Sequence, residues 1–206
     1  MNQVNKKDFL ISVIIGFAAG LLILPIVRNI NLNAKLNIGF AQFSFLAVIG
    51  LTALTSVTYW LALKFSGRMP AILQFAKFLI VGGLNFLIDL GILNLLINLT
   101  DISSGTGYSA FKAMSFLVAV INSYFLNKYW TFKVLGVPKT GEFIKFFTVN
   151  LIGFGINVST ASLVVNVIGA PGGVSVKLWA SAGAAIASMV GLIWNFIGMK
   201  FVVFKK

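Results

Sequence analysis

Long apolar runs almost free of charge, separated by short polar links that carry lysine, set the pattern of this chain. Six runs stand out: Phe9 to Val27, Gly39 to Leu63, Phe78 to Leu99, Tyr108 to Asn127, Phe146 to Ile168 and Leu178 to Met199. A membrane-spanning helix needs about 20 mainly apolar residues, and each run meets that length. None alternates apolar and polar positions as a barrel strand would, and in hydrocarbon a lone segment satisfies its backbone groups only as a helix. The pattern therefore predicts an all-α, polytopic membrane protein with six transmembrane helices. The external links of the last two hairpins, Thr100 to Gly107 and Gly169 to Val176, are rich in Gly, Ser and Pro, as close antiparallel neighbours require. Lys6 and Lys7 precede the first run as they would in a secretory signal. That run exceeds the roughly 7–15 apolar residues of a signal core, so it is expected to be an uncleaved span.

Composition agrees with lipid as the solvent: 59% of residues are hydrophobic, 10% are charged and the mean hydropathy is +0.99. Charge adds sidedness. Lys6, Lys7, Lys64, Arg68, Lys77, Lys128, Lys133, Lys139, Lys145, Lys200, Lys205 and Lys206 fall on one side, and only Arg28, Lys35, Lys112 and Lys177 on the other. Cations are retained in the cytoplasm, so both termini are expected there, N-in and C-in. The net charge of +12 then attracts anionic lipid surfaces. Its scatter over loops between apolar helices speaks against nucleic acid as a partner. Cys and His are both absent, which excludes disulfides, thiol chemistry and imidazole catalysis. Asp8, Asp89, Asp101 and Glu142 are the only acids and are widely dispersed, so neither an enzyme nor a metal or other cofactor is implied.

The basic positions repeat. Gln74-Phe75-Ala76-Lys77-Phe78 aligns with Glu142-Phe143-Ile144-Lys145-Phe146 at an offset of 68, and Lys128-Tyr129-Trp130-Thr131-Phe132-Lys133 with Lys200-Phe201-Val202-Val203-Phe204-Lys205 at 72. Two spans per repeat start both copies on the same face, giving a parallel two-hairpin repeat in helices 3 to 6. The expected boundary is Ser66-Gly67-Arg68-Met69-Pro70, where Gly and Pro interrupt the pattern. Residues 1–66 then form a two-helix extension and residues 71–206 a four-helix domain, with repeats at about 71–133 and 139–206.

Some polar groups lie where lipid cannot satisfy them. Asp89 is the one acid inside a predicted span, and a charge at mid-bilayer costs about 2.5–3.5 kcal/mol. Lys112 is its natural partner. At about 1.5 Å per residue, the two sit within roughly 6 Å of the same depth if Lys77 and Lys128 are level. The pair is either a lock on its hairpin or part of a polar track. Asn85, Asn122, Asn150, Asn157 and Asn195 also fall in spans and must face protein, water or ligand. Interhelical hydrogen bonds are one reading, a polar cavity suited to sugar hydroxyls the other. Lys77, Lys128, Lys145 and Lys200 either snorkel to enforce topology or converge on a lipid phosphate. Tyr129, Trp130, Phe132, Phe201 and Phe204 form an aromatic belt at that depth, although such faces also stack on sugars. In the last helix Gly183, Ala187 and Gly191, beside Ala180, Ala184 and Ser188, leave strips for close packing within the chain or in a homo-oligomer. Gly16 and Gly20 make a lone GxxxG in the first helix.

Two segments carry a resemblance. Gln74-Phe75-Ala76-Lys77-Phe78-Leu79-Ile80-Val81-Gly82-Gly83-Leu84-Asn85, with Asp89 close behind, and Ser123-Tyr124-Phe125-Leu126-Asn127-Lys128-Tyr129-Trp130-Thr131-Phe132 resemble the GtrA family of small membrane proteins over about residues 71–206. The second repeat departs from the pattern, with Met199 where the first has Asn127 and Val202-Val203-Phe204 where it has Trp-Thr-Phe. The resemblance implies a flippase for a polyprenyl-phosphate-linked sugar. Such a protein moves its substrate from the cytoplasmic to the outer leaflet of a bacterial cell membrane, for a membrane glycosyltransferase that decorates a cell-envelope glycan. On this reading Lys77, Lys128, Lys145 and Lys200 capture the phosphate, and Asn85, Asn122 and Asp89 meet the sugar. Lys112 receives the phosphate near the outer leaflet, and Asn127 and Trp130 join the substrate-binding set. The competing reading is a non-catalytic scaffold or accessory subunit of that glycosyltransferase.

Overall fold

A computed structural model describes residues 3–67, 69–173 and 175–205. Arg68 and Lys206 of the basic side lie outside the described residues, as do the side chains of Lys177 and Ala180. Among the described residues every regular element is helical: α1 (Gln3–Ile30), the single turn α2 (Leu32–Lys35), α3 (Phe40–Phe65), α4 (Pro70–Thr100), α5 (Gly105–Leu126), α6 (Thr140–Ser162) and α7 (Val176–Gly198). The last three run on into π-helical turns, Asn127–Thr131, Leu163–Ile168 and Met199–Val203. Six of these helices are long and apolar enough to cross a membrane.

The chain forms two compact units, Met1–Lys133 and Val134–Lys206. In the first, α1 packs against both α3 and α4, and α4 against α5. Close approach of α1 and α3 depends on Gly16 and Gly20, since a Cβ on Gly16 would fall 2.6 Å from the Thr52 Cα and one on Gly20 2.5 Å from the Val48 Cα. The GxxxG of the first helix is thus a packing seam. Gly91 does the same between α4 and α1, where a Cβ would fall 2.5 Å from the Leu22 carbonyl oxygen. Ile15, Ala19, Tyr59, Ile80, Val81, Leu84, Ile88, Ala119 and Trp130 form the buried core of this unit.

Amides tie α1 to α4 near the far end of α1. The Asn29 side chain donates to Asn94 Oδ1 at 2.7 Å, and that of Asn98 to the Pro25 carbonyl at 3.3 Å. Pro70 starts α4, where its missing N–H costs nothing. Asp101 ends α4 in the left-handed conformation (φ 59°), donating its N–H to the Ile97 carbonyl at 2.8 Å.

In the second unit α6 packs on α7. A Cβ on Gly183 would press the Val165 side chain, one on Gly191 would meet the Gly153 carbonyl oxygen at 3.3 Å, and Ala187 is wholly buried. This strip of small residues therefore serves packing within the chain. Trp179 and Trp194 fasten the same seam, donating their indole N–H groups to the Val164 and Val149 carbonyls at 2.9 and 3.1 Å.

Candidate functional site

The most polar buried cluster lies where α1 and α4 begin and α5 ends. Lys77, on the second turn of α4, is 2% exposed, and a buried lysine needs a counter-charge. Asp8 of α1 supplies it: Lys77 Nζ stands 2.5 Å from Asp8 Oδ2 and donates to the Trp130 carbonyl at 3.3 Å. The same carboxylate oxygen takes Lys133 Nζ at 2.7 Å. Two cations on one acid leave the cluster with a formal charge of +1. Aromatic faces complete the enclosure. Lys77 Nζ lies 5.8 Å from the Tyr59 ring centre and 5.3 Å from that of Trp130, within cation–π range. Those rings stack on each other at 6.5 Å, and Phe9 tilts against Tyr59 at 6.1 Å.

The π-helical turn places Trp130 and Lys133 here. Asn127 accepts from the Phe132 N–H at 2.9 Å, an i→i+5 bond that adds a residue to the turn. Asn127, Lys128, Trp130, Thr131 and Phe132 are thereby all buried. The chain then leaves through Lys133 at φ 53°, a left-handed conformation that few residues other than glycine adopt. Lys128 is 1% exposed and lies over the rings of Tyr124 at 5.9 Å and Tyr129 at 5.7 Å. Three buried polar atoms of this turn, Asn127 Oδ1, Trp130 Nε1 and Thr131 Oγ1, have no hydrogen-bond partner among the described residues.

The second unit closes α7 in the same way. Phe204 N–H reaches the Met199 carbonyl at 2.8 Å, and Lys200 lies over the rings of Phe196 at 5.8 Å and Phe201 at 5.6 Å. These rings stand 72 positions after Tyr124 and Tyr129. At the other end of the repeat the match fails. Lys145 is exposed where Lys77 is sealed, because the acid and the tyrosine that enclose Lys77 come from α1 and α3.

Higher on α4 and α5 the expected Asp89–Lys112 pair forms, and Ser115 donates to the other Asp89 oxygen at 2.7 Å. The lysine side chain is 42% exposed and the aspartate 21%. Asn122 donates to Asn85 Oδ1 at 2.7 Å, which leaves Asn85 Nδ2 buried without a partner. Asn150 turns back to its own helix, on the Phe146 carbonyl at 2.8 Å, and Asn195 presses against Gly153 with its Oδ1 unpartnered. Sequence reasoning missed Asp8 and Lys133. It left Asp89 as the only acid in a span, whereas the first spanning helix extends over Lys6–Ile30 and buries Asp8 within it. The one available signal was an acid directly abutting the apolar run at Phe9.

The model of the GtrA/DPMS transmembrane domain matches residues 77–204, from Lys77 itself to the Phe204 that closes the last turn. The chain belongs to the GtrA/DPMS transmembrane-domain family. It is a multi-pass membrane protein of a family associated with lipid-linked sugar translocation. Both aromatic-cradled lysines, Lys128 and Lys200, lie inside the GtrA/DPMS match, whereas Asp8 and Tyr59 lie outside it. No solved structure matches the chain.

Proposed function

We propose that the chain carries a polyprenyl-phosphate-linked sugar from the cytoplasmic to the outer leaflet of a bacterial cell membrane, where a membrane glycosyltransferase consumes it. The observation that carries this reading is the recurrence, inside the family segment, of one device: a π-helical turn closing a hairpin, with a lysine laid over two aromatic rings. Spanning helices ordinarily end on lysines that reach freely into water. Lys128 is instead held at 1% exposure over two rings, so its charge acts on a headgroup phosphate as a fixed field across a low-dielectric setting rather than by direct contact. Each unit supplies its own positive charge in this reading, Lys77 and Lys128 in the first and Lys145 and Lys200 in the second, on the cytoplasmic side that carries both termini. The hydroxyl-rich headgroup then meets Asn85, Asn122, Asn127, Trp130 and Asp89, with Lys112 beyond them.

Residues 1–66 act as an extension that encloses Lys77, and residues 71–206 as the translocating domain, alone or as a homo-oligomer. A second reading, a scaffold for the glycosyltransferase, draws on the internal pairing of Lys77 with Asp8 and of Lys112 with Asp89. Both pairs lock helices whether or not anything is moved. Mass spectrometry of lipids co-purified with the protein tests substrate contact. Enrichment of a polyprenyl-phosphate sugar over bulk phospholipid, reduced in Lys128→Ala, is expected; a profile identical to the surrounding membrane would remove it.

A further inference from the structure

The Asp8 cluster contains two lysines with opposite access. Lys77 is sealed at 2% side-chain exposure, and its ammonium is engaged by Asp8, by the Trp130 carbonyl and by two aromatic faces. Lys133 shares the same carboxylate oxygen but is 40% exposed. An ammonium has three donors, and Asp8 occupies one of those on Lys133. The surplus positive charge of the cluster is therefore presented at Lys133. Its backbone is held at φ 53°, a strained conformation for a residue other than glycine, of the kind that persists where the surroundings fix it. Asp8 is one such fixture, and it comes from α1, outside the family segment.

We propose that Lys133 is the cation that directly receives a phosphate anion at this end of the first unit. In this arrangement Asp8 is the positioning residue that aims Lys133, and Lys77 is the buried counter-ion that holds Asp8 in place. The added helix pair thus does more than thicken the bundle, since it turns the lysine after the Trp-Thr-Phe turn into an oriented hydrogen-bond donor to phosphate. A phosphodiester of charge −1 brings the cluster to neutrality. The proposal rests on the translocation reading for its substrate but not for its chemistry, because a phospholipid headgroup or free phosphate offers the same oxygens.

The test uses the full chain in detergent micelles, with affinity measured by thermophoresis for farnesyl phosphate, farnesol and inorganic phosphate. Wild type should bind farnesyl phosphate in preference to farnesol. Lys133→Gln should weaken that binding about tenfold, the value of one hydrogen bond between charged groups, with the melting temperature lowered by no more than about 4 °C. Lys133→Arg should restore it. Lys139→Gln, which removes the same charge from the following loop, should have no effect. Inorganic phosphate competing as well as farnesyl phosphate would identify a free phosphate as ligand and leave Lys133 as its receptor. Unaltered affinity in Lys133→Gln, or an equal loss in Lys139→Gln, would overturn the proposal. Should Lys133-dependent binding persist while reconstituted wild type moves no lipid-linked sugar, translocation fails and the phosphate site stands.

Discussion

Replacing Asp8 by Asn removes the counter-charge from two ammoniums at once while preserving side-chain shape and one acceptor oxygen. Lys77 and Asp8 meet at 2.5 Å with side chains 2% and 8% exposed, so no solvent takes over the orphaned charge of Lys77. Removing one member of a buried ion pair costs about 3–5 kcal/mol. The contact with Lys133, whose side chain is 40% exposed, adds less than about 1 kcal/mol, because solvent screens it. Lys77→Gln is a different perturbation, since Asp8 retains Lys133 as partner. It loses one charged hydrogen bond and is expected to cost about 1.5–3 kcal/mol.

For a chain of this size about 2–4 °C of melting temperature corresponds to 1 kcal/mol. Asp8→Asn should therefore melt about 6–20 °C below wild type, and Lys77→Gln about 3–12 °C below. The double variant buries no uncompensated charge and should lie above Asp8→Asn alone, a non-additivity that marks direct coupling. Intrinsic tryptophan fluorescence during thermal unfolding in detergent reports it, since Trp130 stacks on Tyr59 beside the pair. Wild-type melting in Asp8→Asn, a larger loss in Lys77→Gln, or strict additivity would refute the reasoning.

Further outcomes follow from the same geometry. Lys112→Gln leaves Asp89 with its Ser115 hydrogen bond, and because the lysine is 42% exposed it should cost less than about 1 kcal/mol, read as a slightly lowered melting temperature. A loss as large as that of Asp8→Asn would mean the half-exposed pair is more deeply sealed than its geometry indicates. Gly91→Ala drives a Cβ to 2.5 Å from the Leu22 carbonyl oxygen and should cost about 1–3 kcal/mol by parting α1 from α4, whereas Gly82→Ala meets nothing within 4 Å and should be neutral. Equal melting of the two variants contradicts the packing account. Phe196→Ala and Tyr124→Ala strip one ring each from beneath Lys200 and Lys128 and should weaken capture of lipid-linked phosphate severalfold in a binding titration; unchanged titration curves would make the cradles purely structural.

Much of this was legible in the sequence because hydrocarbon imposes length and polarity rules that local residues must obey. The six spans follow from run length alone. The Asp89–Lys112 contact follows from a helix rise that places both residues at similar depth on antiparallel neighbours. Asp8 was obscured because it sits one residue before the apolar run at Phe9, where an acid reads as a solvated flank. Its burial depends on α1 lying against the start of α4, a contact 69 positions away in sequence. The π-helical turns leave no periodic trace, since they stand at helix ends, where no further apolar turns follow to show the shift in register. Polar residues in spans were ambiguous for a similar reason. Asn122 reaches across to Asn85, Asn150 folds onto its own helix, and composition does not distinguish them.

The central claim is translocation itself. It is tested most directly by the fraction of a fluorescent polyprenyl-phosphate sugar that an impermeant quencher reaches, over time, in vesicles holding only this purified protein. The account predicts that label placed on one leaflet reaches the other within minutes in wild type and much more slowly in Lys128→Ala. Label that stays on its original leaflet with folded wild-type protein present would contradict it and favour the scaffold.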